Sequence, residues 1–219
     1  MKQFAIVVDV DRCIGCRAGC QVACKMENNV GLGKSRSTLH SVSWGKFPDL
    51  GLFYIPIMCQ QCENPVCVDV CPTGARYKSD EDGVVYIDDE TCIGCKSCEN
   101  ACPFHANRFN NDMRIMDKCT ICVQQREAGG TPACVKICPG GALFYGDIND
   151  PESEVSKLLE ANKDFVYTLA DFNDLDDYEV DVANIGPTLP GSSDKEAIKD
   201  CNPSGRFILR NGKWRNPFL

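Results

Sequence analysis

Cys92, Cys95, Cys98 and Cys102, closed by Pro103, read C-x2-C-x2-C-x3-C-P, a spacing that holds [4Fe–4S] clusters. Three thiolates in steps of three residues let one short loop wrap a cube. Gly94, without a Cβ, lets backbone N–H groups turn toward its sulfides. The fourth cysteine lies about one helical turn past the third and points away, and Pro103 blocks the turn from continuing. In a two-cluster arrangement Cys102 therefore serves the other cluster. Structural zinc needs two cysteine pairs rather than a quartet closed by proline.

Three more quartets accompany this one, so that 16 of the 17 cysteines are clustered. The first is Cys13, Cys16, Cys20 and Cys24, with three residues rather than two before Cys20; Gly19 is placed to absorb the extra residue in a bulge. The second is Cys59, Cys62, Cys67 and Cys71, followed by Pro72. The fourth is Cys119, Cys122, Cys134 and Cys138, then Pro139, its middle stretched by a segment carrying Gly129 and Gly130. Cys201 stands alone and reads as a structural or free thiol. Secreted disulfide frameworks are usually shorter and have even cysteine counts. Thiolates that take up iron must stay reduced until then, which points to assembly in the cytoplasm.

The 219 residues carry a formal charge of -8. Four oxidised clusters with their thiolates, each about -2, would take it to about -16, so nucleic acid is not an expected partner. The apolar run of residues 4–8 ends at Asp9 and that of 51–59 is also too short, so no membrane span is expected. The first residues lack a twin arginine and lead straight into Cys13, which argues against a signal peptide.

The elements that position these cysteines follow from local pattern. Residues 4–10 read as a strand, and residues 25–54 as a polar insertion without period that contains His40. Residues 75–78 and 84–87, around a turn ending in Gly83, read as a β-hairpin. Asp150 as N-cap, Pro151 at N1 and the face Val155, Leu158, Leu159 predict a short helix to about Ala161. Residues 171–181 form an acidic, solvated stretch, and Pro187, Pro190 and Gly191 to Ser193 a loop. Residues 205–219 have strand character around Asn211-Gly212 and are basic (Arg206, Arg210, Lys213, Arg215); this tail is expected to wrap over the cluster core or a partner.

Two echoes mark an internal repeat. The approach to Cys13-Ile14-Gly15-Cys16 echoes that to Cys92-Ile93-Gly94-Cys95, and Cys71-Pro72-Thr73-Gly74-Ala75 echoes Cys138-Pro139-Gly140-Gly141-Ala142. Two ferredoxin-like units explain both, within an α+β class.

The order of the four quartets, with Cys59-Gln60-Gln61-Cys62 and Cys71-Pro72 ahead of the third and the split fourth last, resembles the iron–sulfur (beta) subunit of DMSO-reductase-family molybdenum enzymes. The resemblance spans residues 4–148. It implies that quartets one and four share a unit (1–58 and 104–148), that two and three share another (59–103), and that 149–219 are an extension. It implies four [4Fe–4S] clusters. One takes Cys13, Cys16, Cys20 and Cys138, and the next Cys24, Cys119, Cys122 and Cys134. A third takes Cys59, Cys62, Cys67 and Cys102, and the last Cys71, Cys92, Cys95 and Cys98. Nitrate-reductase relatives replace the second cysteine of the third quartet by Trp and hold a [3Fe–4S] centre; this chain keeps Cys95.

So read, the chain is a wire that passes single electrons and performs no substrate chemistry itself. Its implied partner is a large molybdenum or tungsten bis-pterin catalytic subunit, with a membrane anchor or another electron donor or acceptor at the far end. The final site is the cytoplasm or the extracytoplasmic membrane face, reached by co-export with a signal-bearing partner. Arg12, Arg17, Lys25, Lys96, Lys118 and Lys136 lie beside ligands and could raise potentials, as could His105. The rivals are an independent polyferredoxin and the electron-transfer subunit of a hydrogenase-type complex. A free carrier has no need of a non-ligating tail of about seventy residues.

Overall fold

The N-terminal apolar run becomes β1 (Phe4–Asp9), buried on both faces in the middle of a sheet. The structure is a computed structural model and describes residues 1–44, 47, 48, 50–172 and 195–210. The expected acidic stretch lies almost wholly outside the described residues, as do the proline-rich loop and the turn at Asn211-Gly212 with Lys213 and Arg215.

After β1 a tight turn (Val10–Arg12) delivers Cys13, and α1 (Gly19–Glu27) follows. Next comes a long antiparallel hairpin, β2 (Ser37–Trp44) with β3 (Gly51–Met58), in which His40 lies opposite Ile55. This corrects the expectation of an aperiodic insertion. The period is carried by β3, where Phe53, Ile55 and Ile57 alternate into the core; polar β2 conceals the pairing. Then come α2 (Val66–Asp69), the expected hairpin of β4 (Arg76–Lys78) and β5 (Val85–Ile87), and α3 (Ser97–Ala101). A second small hairpin, β6 (Arg108–Asn110) with β7 (Ile115–Asp117), leads to α4 (Val123–Glu127) and α5 (Ala133–Lys136). The chain continues through β8 (Leu143–Asp147), α6 (Glu154–Ala161), β9 (Val166–Tyr167), α7 (Leu169–Phe172), α8 (Lys195–Cys201) and β10 (Arg206–Ile208).

The main sheet runs β8-β1-β10-β9, with β1 antiparallel to β8 and parallel to β10. Alternation sorts its side chains. Val7 and Ile208 face outward under Val155 of α6, while Ile6, Val8 and Phe207 face the cysteine-bearing core with Phe53, Ile55 and Ile121. Each fully buried branched side chain contributes about 1.5–3 kcal/mol. The cap of α6 also differs from expectation: Ser153, not Asp150, accepts from Ser156 N–H at 3.0 Å. Asp150 instead accepts from Glu152 N–H at 2.9 Å, a side-chain turn that delays the helix by three residues.

The tail is fastened to β1 at its far end. The Arg210 guanidinium donates to both oxygens of buried Asp9, at 2.9 and 2.7 Å, and to Asp11 at 3.2 Å. Residues 200–205 then clamp the loop that follows Cys59. Glu63 N–H donates to Asn202 O at 2.9 Å, Asn64 N–H to Cys201 O at 3.1 Å, and Ser204 N–H to Gln60 O at 3.0 Å. Among the described residues no helix is long and apolar enough to cross a membrane.

Candidate metal centre

The first quartet is shaped by left-handed backbone. Gly15 (φ +71), Arg17 (φ +52) and Ala18 (φ +61) curl the chain before α1 begins. The extra residue is thus absorbed at Arg17 and Ala18, whereas Gly19, expected to bulge, is helical. Once α1 has started, Cys20 and Cys24 sit one turn apart but belong to different surroundings. Burial pushes the Cys20 thiol up to about 11, helped by the charges of Cys16, Cys13 and Cys138. Burial pushes Cys24 up to about 12, helped by Cys119 and Cys122.

The fourth quartet closes both groups. Cys119 leaves β7, Ile121 and Cys122 turn through left-handed conformations, and α5 presents Cys134. Burial pushes Cys134 strongly up; its neighbours, in order of influence, are Cys119, Cys122, Cys24 and Cys20. Backbone donors meet the sulfurs: Ala142 N–H reaches Cys138 at 3.2 Å and Ile121 N–H reaches Cys119 at 3.4 Å.

The second and third quartets converge in the same way. Burial pushes Cys67 up to about 12, with Cys59 and Cys102 adding to it and the cations Arg76 and Lys118 opposing. Burial pushes Cys102 up to about 11, with Cys59 and Cys201 adding. Cys98 is raised by burial although Arg76 draws it down, and it feels Cys92. Cys71 and Cys95 behave oppositely. Burial would raise Cys71, but the N–H groups of Arg76, Thr73 and Ala75 and the Thr73 hydroxyl outweigh it and hold the thiol low. The Ser97 hydroxyl, 3.4 Å away, and the Ser97 N–H hold Cys95 low; Cys95 also feels Cys71. Gly94 (φ +66) is obligatory in this loop, because a Cβ would collide with the Arg114 carbonyl.

The donor set fits iron–sulfur clusters: every candidate ligand is a thiol, and several sulfurs accept from backbone N–H groups, as cluster thiolates do. Among the described residues no three His, Cys, Asp or Glu side chains could grip a single metal ion.

Of the cations expected to matter, only Lys118 is buried. It is 1% exposed and donates to the carbonyls of Val85 and Cys119. Arg12 lies over the Phe144 ring, Lys96 over Phe109, and Lys25 donates to the carbonyls of Gly31 and Lys34. Arg17, Lys136 and His105 are exposed. His40 is half-buried, its pKa lowered by burial, and shares a 2.9 Å contact with Thr38 Oγ1.

Two residues escape a reading of the sequence. Arg76, 3% exposed, donates to Cys98 Sγ at 3.2 Å. Its signal is an arginine five places after Cys71 where the echo after Cys138 has Leu143. Cys201, 4% exposed, rests its thiol against Cys62. No local signal marks it, because the contact joins residues 139 apart in the chain.

Matches to known proteins agree with this chemistry. A family described as a 4Fe-4S dicluster domain matches residues 50–148, and one described as a 4Fe-4S binding domain matches residues 10–27. The fold and site thus define an iron–sulfur protein. A tetrathionate reductase subunit from Salmonella typhimurium is 40% identical over 169 residues, covering 76% of this chain and 67% of that one. The thiosulfate reductase electron transfer subunit PhsB of Salmonella typhi is 42% identical over 161 residues, 72% of this chain and 82% of that one. The arsenate respiratory reductase iron-sulfur subunit ArrB of Shewanella sp. strain ANA-3 is 33% identical over 209 residues, 74% and 88% respectively. The chain belongs to the family of iron–sulfur, electron-transfer (beta) subunits of molybdopterin oxidoreductases. It carries electrons on [4Fe–4S] clusters and is not a catalytic subunit.

Proposed function

We propose that the chain holds four [4Fe–4S] clusters and passes single electrons to or from a molybdenum or tungsten bis-pterin catalytic subunit. The ligand sets are Cys13, Cys16, Cys20 and Cys138; Cys24, Cys119, Cys122 and Cys134; Cys59, Cys62, Cys67 and Cys102; and Cys71, Cys92, Cys95 and Cys98. The observation that carries this reading is that the fold brings thiols from distant quartets together: α1, with Cys20 and Cys24, packs on α5, with Cys134, and α2, with Cys67, packs on α3, with Cys98.

Electrostatic neighbours between groups support an order for the wire. Cys134 feels Cys20, Cys119 feels Cys59, and Arg76 acts on both Cys67 and Cys98. The cluster at Cys13 then stands at one end, toward the catalytic subunit, and the cluster at Cys71 at the other, where a second donor or acceptor docks. The two ferredoxin-like units are 1–58 with 104–148, and 59–103, related by the internal repeat; 149–219 are an extension, of which residues 201–210 strap the first to the second. Assembly takes place in the reducing cytoplasm, and the finished complex works there or, co-exported with a signal-bearing partner, at the extracytoplasmic membrane face. The relatives act in tetrathionate, thiosulfate and arsenate reductases by name, and a terminal oxyanion or sulfur compound is proposed here too.

Anaerobically prepared protein should contain about 16 iron and 16 acid-labile sulfide per chain. Eight of each, or zinc, overturns the four-cluster reading. Pull-down through a tag on this chain should bring a large molybdenum- or tungsten-containing subunit. A monomer with full iron and no large partner would favour the independent polyferredoxin instead.

A further inference from the structure

Three charged side chains are buried among the described residues: Asp9, Arg76 and Lys118. Asp9 is paired with Arg210, and Lys118 is met by carbonyl oxygens. Arg76 is different. Its Nη2 donates to Cys98 Sγ at 3.2 Å and to Asn107 Oδ1 at 2.6 Å, and neither partner is a carboxylate. Asn107 is itself fixed by donating to Cys98 O at 2.7 Å, so the guanidinium is aimed rather than merely enclosed. Its Nε and Nη1 donors are buried and have no partner among protein atoms.

A guanidinium so placed is expensive unless something negative compensates it. Packing does not ask for it. The echo Cys138-Pro139-Gly140-Gly141-Ala142 continues into Leu143, equally buried, at the place where Cys71-Pro72-Thr73-Gly74-Ala75 continues into Arg76. The same local fold therefore accepts an apolar side chain here. What differs is the neighbourhood: Arg76 meets Cys98 Sγ of one ligand group, and Cys98 packs in the same buried cluster as Cys67 of the next, on α2, which lies against both α3 and β4. Two unmet donors at that junction are what the sulfides of clusters on either side would satisfy.

We propose that Arg76 is a shared tuning charge, raising the reduction potentials of the two clusters held at Cys71, Cys92, Cys95 and Cys98 and at Cys59, Cys62, Cys67 and Cys102. The inference rests on the ligand sets proposed above. Its physical basis is simple. Accepting an electron adds negative charge at the site, and a cation that cannot lose its proton favours that form. Donation to a ligand sulfur acts in the same direction. Arginine rather than lysine is required because a rigid fork of donors can serve two groups at once. Arg76 is a positioning and tuning residue, not a ligand.

The test is an EPR-monitored redox titration of the full chain with any co-purifying subunit, as wild type, Arg76→Leu and Arg76→Lys, with iron counted in each. The signal that changes in Cys95→Ser identifies the cluster at Cys71. In Arg76→Leu with full iron, that signal should move to lower potential, a second signal should move less, and the remaining two should stay. Arg76→Lys should recover part of the shift. Full iron with all potentials unmoved overturns the proposal and leaves the ligand sets intact. Wild-type iron near eight overturns the ligand sets and the proposal with them. If Arg76→Leu loses iron, Arg76→Gln, which removes the charge and keeps a donor, decides: an unchanged potential at full iron overturns the proposal, and a downward shift supports it.

Discussion

The groups around Cys134 and around Cys95 use the same ligand chemistry in opposite settings. Cys24, Cys119 and Cys134 are buried, lie between α1, β7 and α5, and have their thiols pushed far up by burial and by neighbouring cysteines. Cys95 is exposed and Cys71 half-exposed, and hydroxyl and N–H donors hold both below the usual thiol range. Thiols raised this far favour the protonated form until iron takes up the thiolate, so this part of the fold and its cluster should form together. The second is a loop already prepared to bind, at the surface, where a partner can reach it. On the ligand sets proposed above, the first site would serve as structure as much as conductor and the second as a terminal.

The largest expected effect breaks the molecule at the first site. Cys134→Ser should lower iron by more than one cluster, or abolish soluble protein, because α5 packs on α1 and the Cys20 and Cys59 groups adjoin. Cys95→Ser should cost at most about four iron and leave the other EPR signals in place. Equal losses from the two variants would erase the distinction. Next in size is the order of iron release. Under mild oxidation with a ferrous chelator, about one quarter of the iron should leave in a fast phase, and Cys95→Ser should lack that phase. A single phase in wild type would mean that burial does not separate the sites.

Much of this contrast is legible in the sequence, for identifiable reasons. Cluster loops are local, so Cys92, Cys95 and Cys98 announce themselves by spacing, and the hairpin that leads to them is announced by Gly83. Strand β1 is visible because a strand buried on both faces reads as a continuous apolar run. The β2–β3 hairpin is not, because the polar strand Ser37–Trp44 masks the alternation of Phe53, Ile55 and Ile57 across from it. Propensity assigns the bulge to Gly19, yet Arg17 and Ala18 take the left-handed conformations, since the loop's closure outweighs their intrinsic preference. Arg76 and Cys201 act across the fold: Arg76 is betrayed only by comparing the two repeats, and no pattern within a window marks Cys201.

A third prediction concerns what holds the buried half together. Arg210→Ala would leave Asp9 buried without its partner, and such unpaired carboxylates are strongly destabilising. Because Arg210 is 35% exposed and water can partly replace it, about 2 kcal/mol is expected rather than the full penalty of a sealed pair. The thermal midpoint should fall while the fast phase of iron release keeps its rate. A faster release from the Cys95 loop would show that the sheet supports both ends equally.

The smallest effect tests the fifth thiol at a four-thiol site. Cys201 comes from the last turn of α8 and rests on Cys62, and residues 200–205 grip the loop between Cys59 and Cys67. Without iron the hydrogen bond between them raises the Cys62 thiol, with burial adding to it, and lowers Cys201, the direction in which Cys62 donates. Iron at Cys62 requires its thiolate, which reverses the roles and makes Cys201 the donor. Cys201→Ala should therefore keep about 16 iron, because the four ligands remain, and lose about 1 kcal/mol from the small cavity and the missing hydrogen bond. Cys201→Ser should keep the donor and restore the EPR line shape that Cys201→Ala perturbs. Iron falling to about 12 in Cys201→Ala, with Cys62→Ala retaining all 16, would instead make the tail cysteine the ligand and Cys62 its donor. The contrast between the ends of the wire would then extend to its middle, where a residue from the tail would complete a site begun by the second quartet.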